Sequence, residues 1–176
     1  MLSSFILREM LKMKWYHDSK VSIIWAIIRI WLGIQWLEAG LHKLTGGFDA
    51  AGFLKGALAK TAGENAEVQG WYAAFLTHFA IPNVHVFNVL IPYGEVLVGL
   101  GLIVGLATIP ALIAGAFMNL NFMFAGTTST NPVLYTVAII LLFTGSASYY
   151  WGLDRIAIPA IKNYFQNRAH KPRPAH

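Results

Sequence analysis

The chain has 176 residues, 56% of them hydrophobic and 12% charged, with a net charge of +5 and no cysteine. A charge content about half that of an average soluble domain excludes a disordered chain and argues against a water-soluble one. Without cysteine there are no disulfides, iron–sulfur clusters, thiolate zinc sites or persulfide chemistry, and the length allows a single domain.

Residues 1–20 form a basic tail carrying Arg8, Lys12, Lys14 and Lys20. The first long apolar stretch follows at about 21–43, the length a bilayer-spanning helix needs. It contains Arg29, is too long for a signal peptide and lacks a small-x-small cleavage site, so it reads as a retained helix. Residues 48–81 read as two short amphipathic helices. Phe53, Leu54, Ala57 and Leu58 make one stripe, with Asp49 placed to cap it. Val68, Trp71, Tyr72, Phe75, Leu76 and Phe79 make the other at helical spacing, and Pro82 closes the segment. Three further apolar stretches occupy about 84–106, 108–125 and 131–151; Glu95 is the one charge among them. A second basic tail, 152–176, holds Arg155, Lys162, Arg168, Lys171 and Arg173.

The expected architecture is all-α: an integral membrane four-helix bundle with short amphipathic helices in the outer loop between the first and second spans. An even number of spans and the basic tails place both termini in the cytoplasm of a multi-pass cell-membrane protein. Trp15, Tyr16, Tyr93, Tyr149, Tyr150 and Trp151 suit the membrane interfaces. Orientation and the lipid bilayer account for the basic tails, so no nucleic acid is required.

Ionisable groups inside a bilayer are costly and need a partner or a purpose. Arg29 lies about 12 Å along its helix from one end, and Glu95 and Asn119 about 16 Å along theirs, at ~1.5 Å per residue. That common depth predicts an Arg29–Glu95 contact with Asn119 beside it, while Asn121, two residues on, faces elsewhere. Such a pair either locks helix register or serves chemistry. Arg29, Gly33, Trp36, Gly40 and Lys43 share one seam that a helix or a flat ligand could approach. Trp31, Gln35, Glu38 and His42 lie nearly opposite, and a carboxylate beside a histidine suits proton exchange. His42, His78 and His85 gather toward the outer surface, but their spacing favours neither haem nor zinc, and there is no metal or flavin motif.

At these residues the sequence resembles the DoxX/DoxD family of small four-helix membrane proteins. The matching elements are Arg29-Ile-Trp-Leu-Gly33 through Gly40-Leu-His-Lys43-Leu, Gly94-Glu95-Val-Leu-Val-Gly99-Leu-Gly101, Met118-Asn119-Leu-Asn121, Asn131-Pro132 and Gly152-Leu-Asp154-Arg155. The resemblance covers about residues 20–158, and the family's polar pattern falls on Arg29, Lys43, Glu95, Asn119 and Asp154. It implies a subunit of a quinone-linked membrane oxidoreductase, with a membrane quinone as cofactor and a small sulfur compound such as thiosulfate as donor. A second redox subunit and self-association are the protein partners it leaves open. On this reading Arg29, Glu38 and Glu95 are catalytic; Lys43, His42, Trp36 and Asn119 bind substrate; Asn121 and Asp154 are structural. The alternative is a non-catalytic accessory or scaffold subunit. A carrier would show an inverted repeat, and none is legible.

Overall fold

The computed structural model describes residues 18–62 and 66–169. The basic residues Arg8, Lys12, Lys14, Lys171 and Arg173, the aromatic pair Trp15 and Tyr16, and Glu64 lie outside the described residues. Among the described residues the fold is all-helical. Helix α1 runs Ser19–Gly46, α2 Ala50–Ala59, and α3 Gly70–Phe75, which continues into a π turn at Leu76–Ala80. Then come α4 Val84–Val104, α5 Thr108–Phe124, α6 Asn131–Thr144, the four-residue α7 Ser146–Tyr149, and α8 Asp154–Ala169.

Each boundary has a local cause. Asp18 accepts from the Lys20 N–H at the start of α1, and Gly47 ends that helix in the left-handed conformation. Asp49 caps α2 as its spacing suggested, accepting from the Ala51 and Gly52 N–H groups. The fourth apolar stretch is not one helix to Trp151. It breaks at Gly145, whose φ of 54° and ψ of −120° no helix accommodates.

α1, α4, α5 and α6 pack side by side around a core that includes Leu32, Trp36, Leu102, Leu112, Ala138 and Leu141. The tightest contact joins α1 to α4. A Cβ on Gly33 would lie 2.9 Å from the Gly99 carbonyl, one on Gly40 2.9 Å from the Pro92 carbonyl, and one on Gly99 2.6 Å from the Leu37 nitrogen. Only glycine permits this approach, which is how apolar helices associate without a hydrophobic driving force. The Gly33–Gly40 seam is therefore filled by α4 and is not open to a flat ligand, contrary to one expectation above.

The exterior of this helix group is apolar too: Ile27 is 63%, Leu97 68%, Phe117 66% and Phe143 84% exposed. Such a surface suits lipid and not water. α1 and α4 are long and apolar enough to cross a membrane by length and composition; Thr108–Phe124 and Asn131–Thr144 are shorter apolar helices.

The segment between α1 and α4 covers one end of the group with its own small core: Leu54, Ala57, Val68, Tyr72, Leu76 and Ala80 around Ala125. The π turn keeps Leu76 and Ala80 on the buried face and leaves Phe79 out. The Tyr72 hydroxyl donates to the Asn121 backbone carbonyl at 3.0 Å and Oδ1 at 3.2 Å, tying this cover to α5. That also places Asn121 away from Asn119, on the covering side. Burial pushes the Tyr72 phenol up from 10.0 to about 12. Because the folded value exceeds the unfolded one, the stability held in the neutral phenol is present below pH ~10 and is lost as pH rises toward 12. An alkaline titration followed at the tyrosinate absorbance should show a phase near pH 12 that Tyr72→Phe removes. A titration unchanged by that substitution would contradict the burial.

Candidate functional site

The helix register decides which charges meet. Gly33 lies against Gly99 and Ile103, and Gly40 against Val96 and Pro92. In this antiparallel pairing Glu95 stands level with residues near Ala39, and Arg29 stands level with Gly105. Arg29 and Glu95 are thus separated by about ten residues, or ~15 Å of helix, and do not pair. The expected contact fails because residues 21 and 106 do not share a depth: α1 starts well beyond the end of α4.

Two centres result, at opposite ends of the helix group. At the first, the Lys43 ammonium donates to both Glu95 carboxylate oxygens at 2.8 Å. Glu95 is 1% exposed, and the Lys43 side chain 25%. Lys43 reaches down from the last turn of α1 and also lies 5.8 Å from the Phe122 ring centre and 5.9 Å from that of Phe48. At the second, Arg29 is buried between Gly105 and Gly152, whose missing side chains make room for its guanidinium. Its Nη2 donates to the Trp151 carbonyl at 3.0 Å, and Asp154 attracts it electrostatically. Asp154 accepts from the Ala107 and Thr108 N–H groups at 2.8 and 2.7 Å, capping α5 from another part of the chain. The Asp154 N–H in turn donates to the Gly105 carbonyl at 2.8 Å. This end is a clasp holding the α4–α5 turn to the start of α8, and Gly105 also ends α4 there in the left-handed conformation.

The Lys43–Glu95 end opens into a cavity of about 480 Å³. Trp36, Glu95, Asn119 and Leu134 form part of its wall, Phe48, Phe53 and Phe122 enclose it, and Gln35, Glu38, His42, Thr127, Ser129, Thr130 and Asn131 give it polar lining. Glu38 and His42 are exposed. Phe53 and Phe122 meet edge-on at 5.9 Å, so α2 contributes directly to the enclosure. Trp36 is seated by Gly115, where a Cβ would come within 3.1 Å of its Nε1.

Asn119 is wholly buried and Trp36 is 2% exposed. Among the described residues, neither the Asn119 Nδ2 and Oδ1 nor the Trp36 Nε1 finds a hydrogen-bond partner. A buried polar group left so is destabilising by about 1–3 kcal/mol. Two such groups on the wall of one cavity are a reason to look for a ligand. Both residues border the cavity beside the Lys43–Glu95 pair and the aromatic rings, with their unpartnered polar atoms set behind its surface.

Of the residues singled out in the sequence, Glu38, Glu95, Lys43, His42, Trp36 and Asn119 come together here. Arg29 and Asp154 sit in the clasp at the far end, and Trp31 faces outward, 42% exposed. Sequence reasoning missed the direct Lys43–Glu95 partnership and the rim at Thr127–Asn131. The Asn131-Pro132 helix start was the available signal for that rim, since a Pro at the first turn fixes where the chain re-enters the helix group. Among the described residues there is no group of three or more His, Cys, Asp or Glu able to hold a metal ion.

The DoxX family model matches residues 24–128. Comparisons with curated proteins and with solved structures returned no match. The family match spans more than half of the chain and takes in Arg29, Lys43, Glu95 and Asn119. With its long apolar helices and lipid-suited exterior, the chain therefore belongs to the DoxX family as an integral membrane protein.

Proposed function

We propose that this DoxX protein crosses the cell membrane four times, with both tails cytoplasmic, and that its cavity is the quinone site of a membrane oxidoreductase. In this arrangement α1, α4, α5 and α6 are the spans, and α2 and α3 cover the outer ends. Lys20, Arg155, Lys162 and Arg168 cluster at the clasp end in sequence, which supports a cytoplasmic side there.

One observation carries the redox reading: the Asn119 amide and the Trp36 indole N–H are buried without partners just behind the wall of an aromatic-lined cavity that both residues border. A flat ring bearing two carbonyl oxygens fits that donor set. A bound quinone supplies a two-electron, two-proton acceptor. The chain's own groups do the rest. Trp36 and Asn119 donate to ring oxygens and fix orientation, while Phe48, Phe53 and Phe122 keep water out. Lys43 and Glu95 hold a proton donor and a proton acceptor in contact beside the ring. Glu38 and His42 exchange protons with water at the rim. The donor is a small reduced sulfur compound of the thiosulfate class, as the family resemblance implies. A second redox subunit delivers the electrons where the sulfur compound does not itself enter.

A scaffold role is the second reading. It is favoured by the contacts already made, Lys43 to both Glu95 oxygens and the Arg29 Nη2 to the Trp151 carbonyl. It leaves Asn119 and Trp36 unexplained. Binding of a short-tailed benzoquinone to the full chain in nanodiscs separates the two. We expect saturable binding, weakened about tenfold by Asn119→Leu and by Trp36→Phe, the worth of one buried hydrogen bond each. Saturable binding that neither substitution weakens would move the site elsewhere. No saturable binding to the wild-type chain would leave the scaffold.

A further inference from the structure

We propose that α8 is a binding surface for anionic phospholipid headgroups, lying along the same leaflet that the clasp end of the spans reaches. This rests on the membrane character of the chain, but not on the quinone reading. α8 is sixteen residues long and exposed along most of its length. Only Asp154, at its start, is buried, and that residue fastens the helix to the α4–α5 turn. The start of the helix is therefore held at the clasp, where Trp151 and Leu153 are also about half exposed.

The helix sorts most of its chemistry by face, with Ile156, 71% exposed, the apolar residue on the opposite side. Ile158, Ile161, Tyr164 and Phe165 fall on one arc at helical spacing. Ile161 is 56% and Phe165 63% exposed, a large apolar area for a helix on which only the first residue is buried. Arg155 and Lys162 stand together on one flank of that arc. Arg168 falls within the arc at the last turn with its guanidinium 5.1 Å from the Tyr164 ring centre, an arrangement suited to a side chain whose stem is in apolar surroundings and whose head seeks phosphate. Arg155 lies 4.4 Å from the Tyr150 ring centre at the junction with the spans. A helix with an apolar arc, cations on one flank and at its last turn, and aromatic residues beside them suits the headgroup plane. The cations beside the strip specify an anionic surface.

Three cations near an anionic surface are each worth about a fivefold change in the helix's equilibrium between bound and free, so together roughly a hundredfold. At 1 M salt, where the screening length is about 3 Å, most of this disappears. The absence of cysteine from the chain makes the test direct. Single cysteines are introduced in the full-length protein as Ile161→Cys or Asn163→Cys, labelled with a polarity-sensitive fluorophore and reconstituted in nanodiscs of phosphatidylglycerol or of phosphatidylcholine. We expect a blue shift at position 161 in phosphatidylglycerol that is smaller in phosphatidylcholine, is reduced by salt, and is absent at position 163. Arg155→Gln, Lys162→Gln and Arg168→Gln combined should abolish the lipid dependence while leaving thermal unfolding of the spans unchanged. Equal emission at 161 in both lipids, or equal shifts at 161 and 163, overturns the proposal. A label at 161 that stays water-exposed in both lipids also overturns it and points to a protein ligand for the strip. Quinone binding in the same nanodiscs reports separately on the cavity.

Discussion

Lys43→Met should lower the stability of the protein by about 3–5 kcal/mol, the cost of leaving a buried charge without its partner. Glu95 is 1% exposed and takes both of its short hydrogen bonds from the Lys43 ammonium. Removing that donor strands a carboxyl group in an apolar wall. The reverse change is expected to be milder. Glu95→Gln keeps the shape of the side chain, and Lys43, a quarter exposed, can turn its head toward the rim on its flexible stem. The double variant Lys43→Met with Glu95→Met replaces the pair by apolar groups of similar volume and should regain most of the loss. Thermal unfolding of the wild type, Lys43→Met, Glu95→Met and the double variant in one detergent closes the cycle and gives the coupling directly. Additive, small effects would mean that the pair carries no stability. The same set separates structure from function: if the pair serves the cavity, the double variant folds like the wild type and still binds a benzoquinone more weakly.

That test exists because the structure redistributes the charges that the sequence reveals. The elements themselves were largely legible. Apolar length located α1, α4 and α5, and the 3.6-residue stripe over Val68–Phe79 located the cover. The Asp49 cap was readable from residue type and position. Which charges meet was not readable, since helix rise measures distance along one helix and says nothing of how two helices are offset. The offset is set by Gly33, Gly40 and Gly99, where backbone meets backbone. These glycines were visible as a seam, but a seam does not name its partner. Most of the candidate site still came together, because Trp36 and Lys43 share a face of α1 with Gly40, and that face is turned toward Glu95 and Asn119. Arg29 shares the seam too, two turns farther from Lys43 than the cavity extends, and so belongs to the other end. The helix over Asp154–Ala169 was read only as a basic tail. Its charge masked an apolar arc of four large side chains.

The clasp at that other end gives the second large effect. Gly105→Ala meets two independent obstacles. Its φ is +69°, a left-handed conformation that disfavours a residue with a Cβ by about 1–2 kcal/mol. The added methyl would also run into the Arg29 guanidinium and come within 2.7 Å of the Gly152 Cα. Arg29 is 1% exposed and held by the Trp151 carbonyl, so it has little room to yield, and overpacking of this kind costs about 1–3 kcal/mol. The expected loss is about 2–5 kcal/mol, read as thermal unfolding in detergent. Arg29→Ala supplies the control. In that background the methyl no longer meets the guanidinium, so Gly105→Ala should cost little more than its backbone strain and the remaining contact with Gly152. Identical costs in the two backgrounds would mean that Arg29 does not occupy the space between the two glycines. Because the clasp and the cavity share no side chain and stand far apart along α1, Gly105→Ala should add to Lys43→Met without coupling. It should also leave benzoquinone affinity of the folded fraction unchanged, whereas a clasp that shapes the cavity through α1 would make the two substitutions interact.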